Sequence, residues 1–160
     1  MQGYLGNLLY VSLFSFSFLL LHAPRRQFNV IVTSVIDGDT ILVNGKNKIR
    51  LLDIDAPEIK QKSFDGVHIG LLSKNWLEKK ILNKRVRLVL HGRGFYNRWL
   101  GDIYIAKENI NLKIIEKGFA LSYGQKYSFF SFMARKKKKG IWNTSGFYSP
   151  KVYRKLTRRN

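Results

Sequence analysis

The chain has no cysteine among its 160 residues. That excludes disulfides and thiolate metal sites, and it leaves the redox compartment open. Acidic charge is the next scarcity. Only 10 Asp and Glu stand against 29 Lys and Arg, giving a formal net charge of +19. Such a balance points to polyanions as partners, either nucleic acid or an anionic membrane. A genome rich in Lys, Asn and Ile accounts for some of the lysines but not for that ratio. No internal repeat is visible. Residues 1–24 carry no charged side chain, and Leu8–Leu21 is apolar apart from Ser12, Ser15 and Ser17. This uninterrupted run falls short of the ~18–20 residues of a comfortable membrane span, although extension back to Tyr4 reaches the lower limit.

The N-terminal run also lacks two marks of a cleaved signal. No Lys or Arg precedes it, and Leu21-His22-Ala23 before Pro24 has no small residue at its first position. An uncleaved anchor is favoured over a cleaved signal, with a buried N-terminal helix third. Membrane association through residues 4–21 and a membrane-anchored or exported location are therefore expected. Arg25 and Arg26 do not settle the orientation. The division expected is an apolar segment 1–24, a domain over 25–142 and a loose basic tail over 143–160. A monomer is expected.

What is present is enough for a core, with 45% apolar residues. The acids are unevenly placed: Asp37, Asp39, Asp53, Asp55 and Glu58 make up half of them within one short segment. A basic chain that concentrates its carboxylates there is expected to hold something cationic.

The pattern around them reads as short strands. Phe28–Val35 is rich in β-branched residues, Asp37-Gly38-Asp39 is a turn, and Thr40–Val43 is a second strand. Asn44-Gly45 signals a hairpin returning through Lys46–Ile54, and Ala56-Pro57 ends that strand. Gly66–Leu82 has helical periodicity through Ile69, Leu72, Trp76, Leu77 and Ile81. Arg85–Leu90 and Gly101–Ala106 are further strands. Asn111 is expected to cap a short helix ended by Gly118, and Ser131 to cap a last helix running to Gly140. Five strands with a helix before the fourth suggest a Greek-key barrel of the OB type, an α+β fold with about three helices.

Three segments carry candidate chemistry. In Asp37-Gly38-Asp39-Thr40, two carboxylates flank a Gly. It is part of a calcium-like loop without the remaining ligands of an EF-hand, and it also fits an ordinary turn. In Arg50-Leu51-Leu52-Asp53-Ile54-Asp55-Ala56-Pro57-Glu58, Asp53 and Asp55 share a face. Arg50 and Asp55 lie on opposite faces unless a bend intervenes. Two Asp from different strands plus a nearby Glu suit a hard cation with oxygen ligands. In Tyr96-Asn97-Arg98, an Arg suited to bidentate phosphate contact sits in a turn.

The order Asp-Gly-Asp-Thr, Arg-x4-Asp-x-Pro-Glu, Tyr-x-Arg, Gly-x-Ala and Gly-Ile-Trp resembles the staphylococcal nuclease (thermonuclease) family from about Phe28 to Trp142. The resemblance implies an OB barrel with three helices and calcium-dependent hydrolysis of DNA and RNA, with single strands preferred. It assigns Asp39 and Asp55 as calcium carboxylates, the Ala56 carbonyl as a further ligand and Asp37 as a support behind them. It makes Glu58 the general base and Arg50 and Arg98 the phosphate clamp. Tyr96 and Tyr123 fall near the substrate, Tyr123 either stacking on a base or packing at the rim. The chain departs from the family pattern in having Ala56 for Thr, Asn97 for Gly and Gly94 for Asp. Asp53 is extra, either tuning the metal site or facing solvent. The competing function is a non-catalytic OB-type module binding single strands through basic grooves and aromatics. Such a module has no use for carboxylates in its groove.

Overall fold

The computed structural model describes residues 26–94 and 98–158. The expected N-terminal segment 1–24 and Tyr96 lie outside them. Strand β1 (Gln27–Val35) buries Val30 and Val32, then shifts phase so that Val35 is buried too. A bulge between Val32 and Ser34 causes the shift, since one extra residue exchanges the two faces of a strand. β2 (Thr40–Val43) and β3 (Asn47–Leu51) form the expected hairpin. Asn44 and Gly45 turn it with φ of 50° and 72°, a left-handed pair that few other residues accept.

β5 (Arg85–Arg93) pairs with β1, and β6 (Trp99–Ile105) pairs with β5. A parallel pairing of β3 with β6 then closes a five-stranded barrel. Two short strands are added, β4 (Ile54–Asp55) with β8 (Leu121–Ser122) and β7 (Glu108–Asn109) on β6. Among the described residues four α-helices accompany the barrel: α1 (Ile69–Ile81), α2 (Ile110–Glu116), α3 (Ser128–Lys136) and α4 (Pro150–Thr157). The OB-type α+β architecture is as expected, with one helix more. Its core joins Val32, Ile41, Ile49 and Ile103 of the barrel to Leu77 and Ile81 of α1 and Ile110 and Ile114 of α2.

Several boundaries differ for physical reasons. The third strand stops at Leu51, because Asp53 has a φ of 61° and turns the chain before β4. α1 starts at Ile69, after a turn in which Gly66 N–H donates to Ser63 O. Its buried seam runs through Ile69, Gly70, Ser73, Leu77 and Ile81, while Leu72 is exposed. Ser73 takes the seat because its hydroxyl donates to Phe119 O at 2.6 Å. Asn109, not Asn111, caps α2, accepting from Leu112 N–H at 3.0 Å. Asn111 is fully buried instead. α3 begins at Ser128, with Ser131 inside it. β5 runs on to Arg93 through a bulge between Leu90 and Gly92.

The expected loose tail is the largest correction. Ser149 caps α4 by accepting from Val152 N–H, with Pro150 in the first turn. That arrangement is a favoured helix start. Among the described residues, no helix is long and apolar enough to cross a membrane.

Candidate active site

The turn between β1 and β2 is built around a close approach. A Cβ on Gly38 would fall 1.9 Å from Ser73 Oγ and 2.6 Å from the Ala56 Cβ. With only hydrogen there, the turn seats against α1 and the Ala56 segment. Asp39 N–H donates to Asp37 Oδ1 at 2.9 Å, and Ala56 N–H donates to Asp39 Oδ2 at 2.9 Å. Asp39 Oδ1 accepts from Thr40 Oγ1 at 3.0 Å and from Arg50 Nη1.

The left-handed turn at Asp53 solves the facing problem. It re-aims the chain so that Asp55 meets Arg50 from the same side as Asp39. Arg50 Nη2 donates to Asp55 Oδ1 at 3.3 Å and to Ile54 O at 3.3 Å. Asn111 pins this turn from behind. Its Nδ2 donates to Leu52 O, Gly101 O and Asp102 Oδ1 at 3.0–3.1 Å, and its Oδ1 accepts from Ile103 N–H at 3.1 Å.

Glu58 sits on the loop after Pro57, and that loop is wedged against α1. A Cβ on Gly70 would lie 1.8 Å from Glu58 O. Buried Gln61 holds both sides of the loop. Its N–H donates to Glu58 O at 2.8 Å, its Oε1 accepts from Glu58 N–H at 3.3 Å, and its Nε2 donates to Tyr148 O at 2.7 Å.

These elements surround a cleft of about 1190 Å³. Asp37, Asp39, Arg50, Ala56, Glu58 and Arg98 all line it, with Tyr123 exposed at its rim. Six sequence-derived candidates therefore converge from four separate segments. Asp55 is buried and is not on the wall. Asp53 pairs with Lys126 at 3.1 Å rather than with the acidic group. Arg98 reaches the cleft without the carboxylate absent at Gly94, because Gly94 N–H donates to Arg98 O at 2.9 Å and closes the turn. In the remaining wall, Lys46, Lys48, Arg93 and Arg158 add positive charge to residues that are otherwise largely apolar, through Leu51, Leu52, Ile54, Trp99 and Leu100.

One participant was not anticipated. Arg154, from α4, donates through Nη1 to Glu58 Oε1 at 2.8 Å and through Nη2 to both Asp55 oxygens at 3.1 Å. Ser149-Pro150 was the available signal that a helix begins there. No spacing rule links residue 154 to residue 55.

The electrostatics are those of crowded acids. Burial, and then the nearby Asp39 charge, push the Asp37 carboxyl up to about 6. Burial raises Asp55 as well, against the lowering pull of Arg154. Burial works against the Arg154 charge, but the hydrogen bonds it donates to Asp55 and Glu58 outweigh it and hold the guanidinium above its ordinary value.

Among the described residues, no three Asp, Glu, His or Cys side chains converge as a metal cage. What the site offers is two carboxylates on one guanidinium, beside the Ala56 backbone. An all-oxygen set with few protein ligands suits a hard divalent cation that keeps several waters, and it is unlike the nitrogen and sulfur sets of zinc. The residues present therefore fit a calcium-type ion.

Residues 48–144 match the family model described as staphylococcal nuclease homologue. An uncharacterized endonuclease of Haemophilus influenzae is 39% identical over 113 residues, covering 68% of this chain and 60% of that protein. An uncharacterized endonuclease of Escherichia coli O157:H7 is 32% identical over 133 residues, covering 77% and 82%. A thermonuclease of Staphylococcus intermedius is 31% identical over 100 residues, covering 59% and 60%. The chain thus spans about three fifths of the Haemophilus and Staphylococcus relatives.

Proposed function

Because the chain belongs to the staphylococcal nuclease homologue family, we propose that it is an endonuclease that hydrolyses phosphodiester bonds in DNA or RNA, single strands preferred. The observation that carries this reading is the convergence of Asp39, Arg50 and Glu58 on one basic cleft, with Asp55 directly behind Arg50. A binding module alone has no reason to place carboxylates against an anionic backbone.

Asp39, Asp55 and the backbone carbonyl of Ala56 would hold calcium, which when bound supplies Lewis-acid polarisation of a phosphate oxygen. Asp37 fixes the Asp39 loop through the Asp39 N–H and adds negative charge behind it. Glu58 accepts the proton of the attacking water, a role worth ~10²–10⁴-fold in rate. Arg50 and Arg98 pair with the phosphate oxygens as charge grows at phosphorus. Guanidinium forks match that geometry, and such preorganised stabilisation is usually the largest catalytic contribution. Tyr123 offers a stacking surface for a base at the rim, and a substrate-binding role for Tyr96 is proposed from the sequence alone.

The test is digestion of single-stranded DNA by the purified chain with calcium and with a chelator. Calcium-dependent cleavage is expected. Cleavage indifferent to the chelator would refute the metal mechanism, and binding without cleavage at any calcium level would replace the enzyme by a single-strand binder. The membrane-anchored or exported location is a separate proposal drawn from residues 4–21. Cell fractionation and the mass of the mature protein test it, and loss of about the first 23 residues would replace the anchor by a signal peptide.

A further inference from the structure

Arg154 belongs to none of the motifs from which the mechanism above is built. It is nevertheless bonded to two of the carboxylates that mechanism needs. Its fork takes both oxygens of Asp55 and one of Glu58. A planar guanidinium on paired carboxylates is a strong charge-assisted arrangement. Both Asp55 oxygens are occupied in this way, and Asp55 is absent from the cleft wall although its neighbours line it. Arg154 itself lines the cleft in its place.

The element that delivers Arg154 is lightly seated. Pro150 is the one buried residue of α4, and Val152 and Leu156 are 41% and 46% exposed. The chain just before it is fixed. Tyr148 O accepts from Gln61 Nε2, and the Tyr148 ring meets Phe64 edge-on at 5.2 Å between centroids. The helix therefore hangs from a firm hinge, and the ion pairs of Arg154 are its main hold on the site. Arg50 differs, because it issues from β3 within the barrel.

We propose that Arg154 is an intramolecular counter-cation on Asp55 and Glu58, which a divalent cation displaces as it enters, releasing α4 from the cleft. The proposal rests on the metal-site reading of Asp39 and Asp55. The reasoning is competition between like charges for one set of oxygens. A divalent ion and a guanidinium repel each other, and Arg154 already engages both Asp55 oxygens that the ion would take. The Arg154 bond to Glu58 Oε1 also keeps that carboxylate engaged until the ion arrives. Metal affinity is lowered by whatever those bonds are worth, and metal binding loosens the helix.

The experiment uses the full chain without substrate. Calcium is titrated by calorimetry into the unaltered protein and into the Arg154→Gln, Arg154→Lys and Lys155→Gln variants. Amide exchange over residues 150–157 is followed with and without calcium. Arg154→Gln should bind calcium about tenfold more tightly, the weight of a partly exposed charge-assisted fork. Arg154→Lys, which keeps the charge without the fork, should fall between. Lys155→Gln should stay within about twofold, as expected for an exposed charge on the same helix that does not line the cleft. Exchange over 150–157 should quicken when calcium binds the unaltered protein. A melt without calcium checks that each variant folds, and Arg154→Lys carries the test if the Gln variant does not. Unchanged or weaker calcium binding in the Arg154 variants would overturn the proposal, as would unchanged exchange in 150–157, while calcium binding itself would leave the metal site standing. Absence of calcium binding in every protein would overturn the metal-site reading and this proposal with it.

Discussion

Gly70→Ala sets two local rules against each other. Gly70 is the second residue of α1, and helix propensity alone favours Ala there by about 1 kcal/mol. Packing says the opposite. The new Cβ would sit 1.8 Å from Glu58 O, 2.5 Å from Glu58 C and 2.9 Å from Ile59 Cα. Carbon and carbonyl oxygen need about 3.3 Å, so the first contact is short by about 1.5 Å. The obstacle is backbone, and it cannot rotate out of the way. The Glu58 segment has to move by about 1 Å, against the Gln61 bonds on both of its sides. Overpacking of this kind costs about 1–3 kcal/mol and occasionally more. We expect a net loss of about 2 kcal/mol, or a fall in Tm of roughly 4–8 °C at about 2–4 °C per kcal/mol. The displaced side chain is the proposed base, and a misplacement of about 1 Å lowers turnover by about 10²-fold. Calorimetry without calcium and single-stranded DNA cleavage with calcium measure the two effects. Leu71→Ala, next to it and exposed, is the control, expected within about 0.5 kcal/mol. A Gly70→Ala protein as stable as the parent and equally active would refute the claim that this contact positions Glu58.

Glu58→Gln and Arg50→Ala should each lower turnover by at least about 10²-fold while circular dichroism shows the fold retained, and an unchanged rate would remove that residue from its role. Asn111→Ala removes the side-chain partner of the Leu52 carbonyl and of the buried Ile103 N–H, so urea unfolding should show a loss of about 2–4 kcal/mol. Asp37→Asn should raise Tm without calcium at pH 8 and leave it unchanged near pH 4. The folded carboxyl titrates near 6 against an ordinary 3.8, so the cost of ionising it is absent below 3.8 and complete above 6, about 1–3 kcal/mol at most. Single-strand affinity of the Glu58→Gln protein should fall with salt at a log–log slope near −3 if Lys46, Lys48, Arg93 and Arg98 contact phosphates at ~0.7 each, and Lys48→Ala should flatten it by ~0.7.

The sequence made legible what is encoded locally. The strands at Phe28–Val35 and Arg85–Leu90 were legible from their β-branched and apolar residues, and Asn44-Gly45 turns the chain wherever the rest of it goes. The motif acids were legible because their density is abnormal in so basic a chain. What stayed hidden is set by distant partners. The break at Asp53 needs Asn111, which lies 58 positions later in sequence and donates across it to Leu52 O. Gly70 and Ser73 interrupt the apolar seam of α1 because a loop and a carbonyl press on the helix there, which periodicity cannot register. α4 had a readable start at Ser149-Pro150, but its composition is that of a solvated basic tail, and its meaning lies in acids about a hundred residues away.

The excess of positive charge therefore has a second use besides drawing in a polyanion. Burial raises Asp37 and Asp55, and Asp39 lies close enough to each of them to raise both further. Without compensation such a cluster protonates or spreads apart. Two arginines supply the compensation from opposite directions. Arg50 is built into the barrel and bridges Asp39 to Asp55, while Arg154 is carried in by the last helix and closes over Asp55 and Glu58. In the proposed mechanism Arg50 would face phosphate once a cation arrives, whereas Arg154 holds the same oxygens that cation would take. A site of this kind keeps its shape when empty only by being partly blocked, and the lightly packed helix confines the block to a part of the fold that can leave.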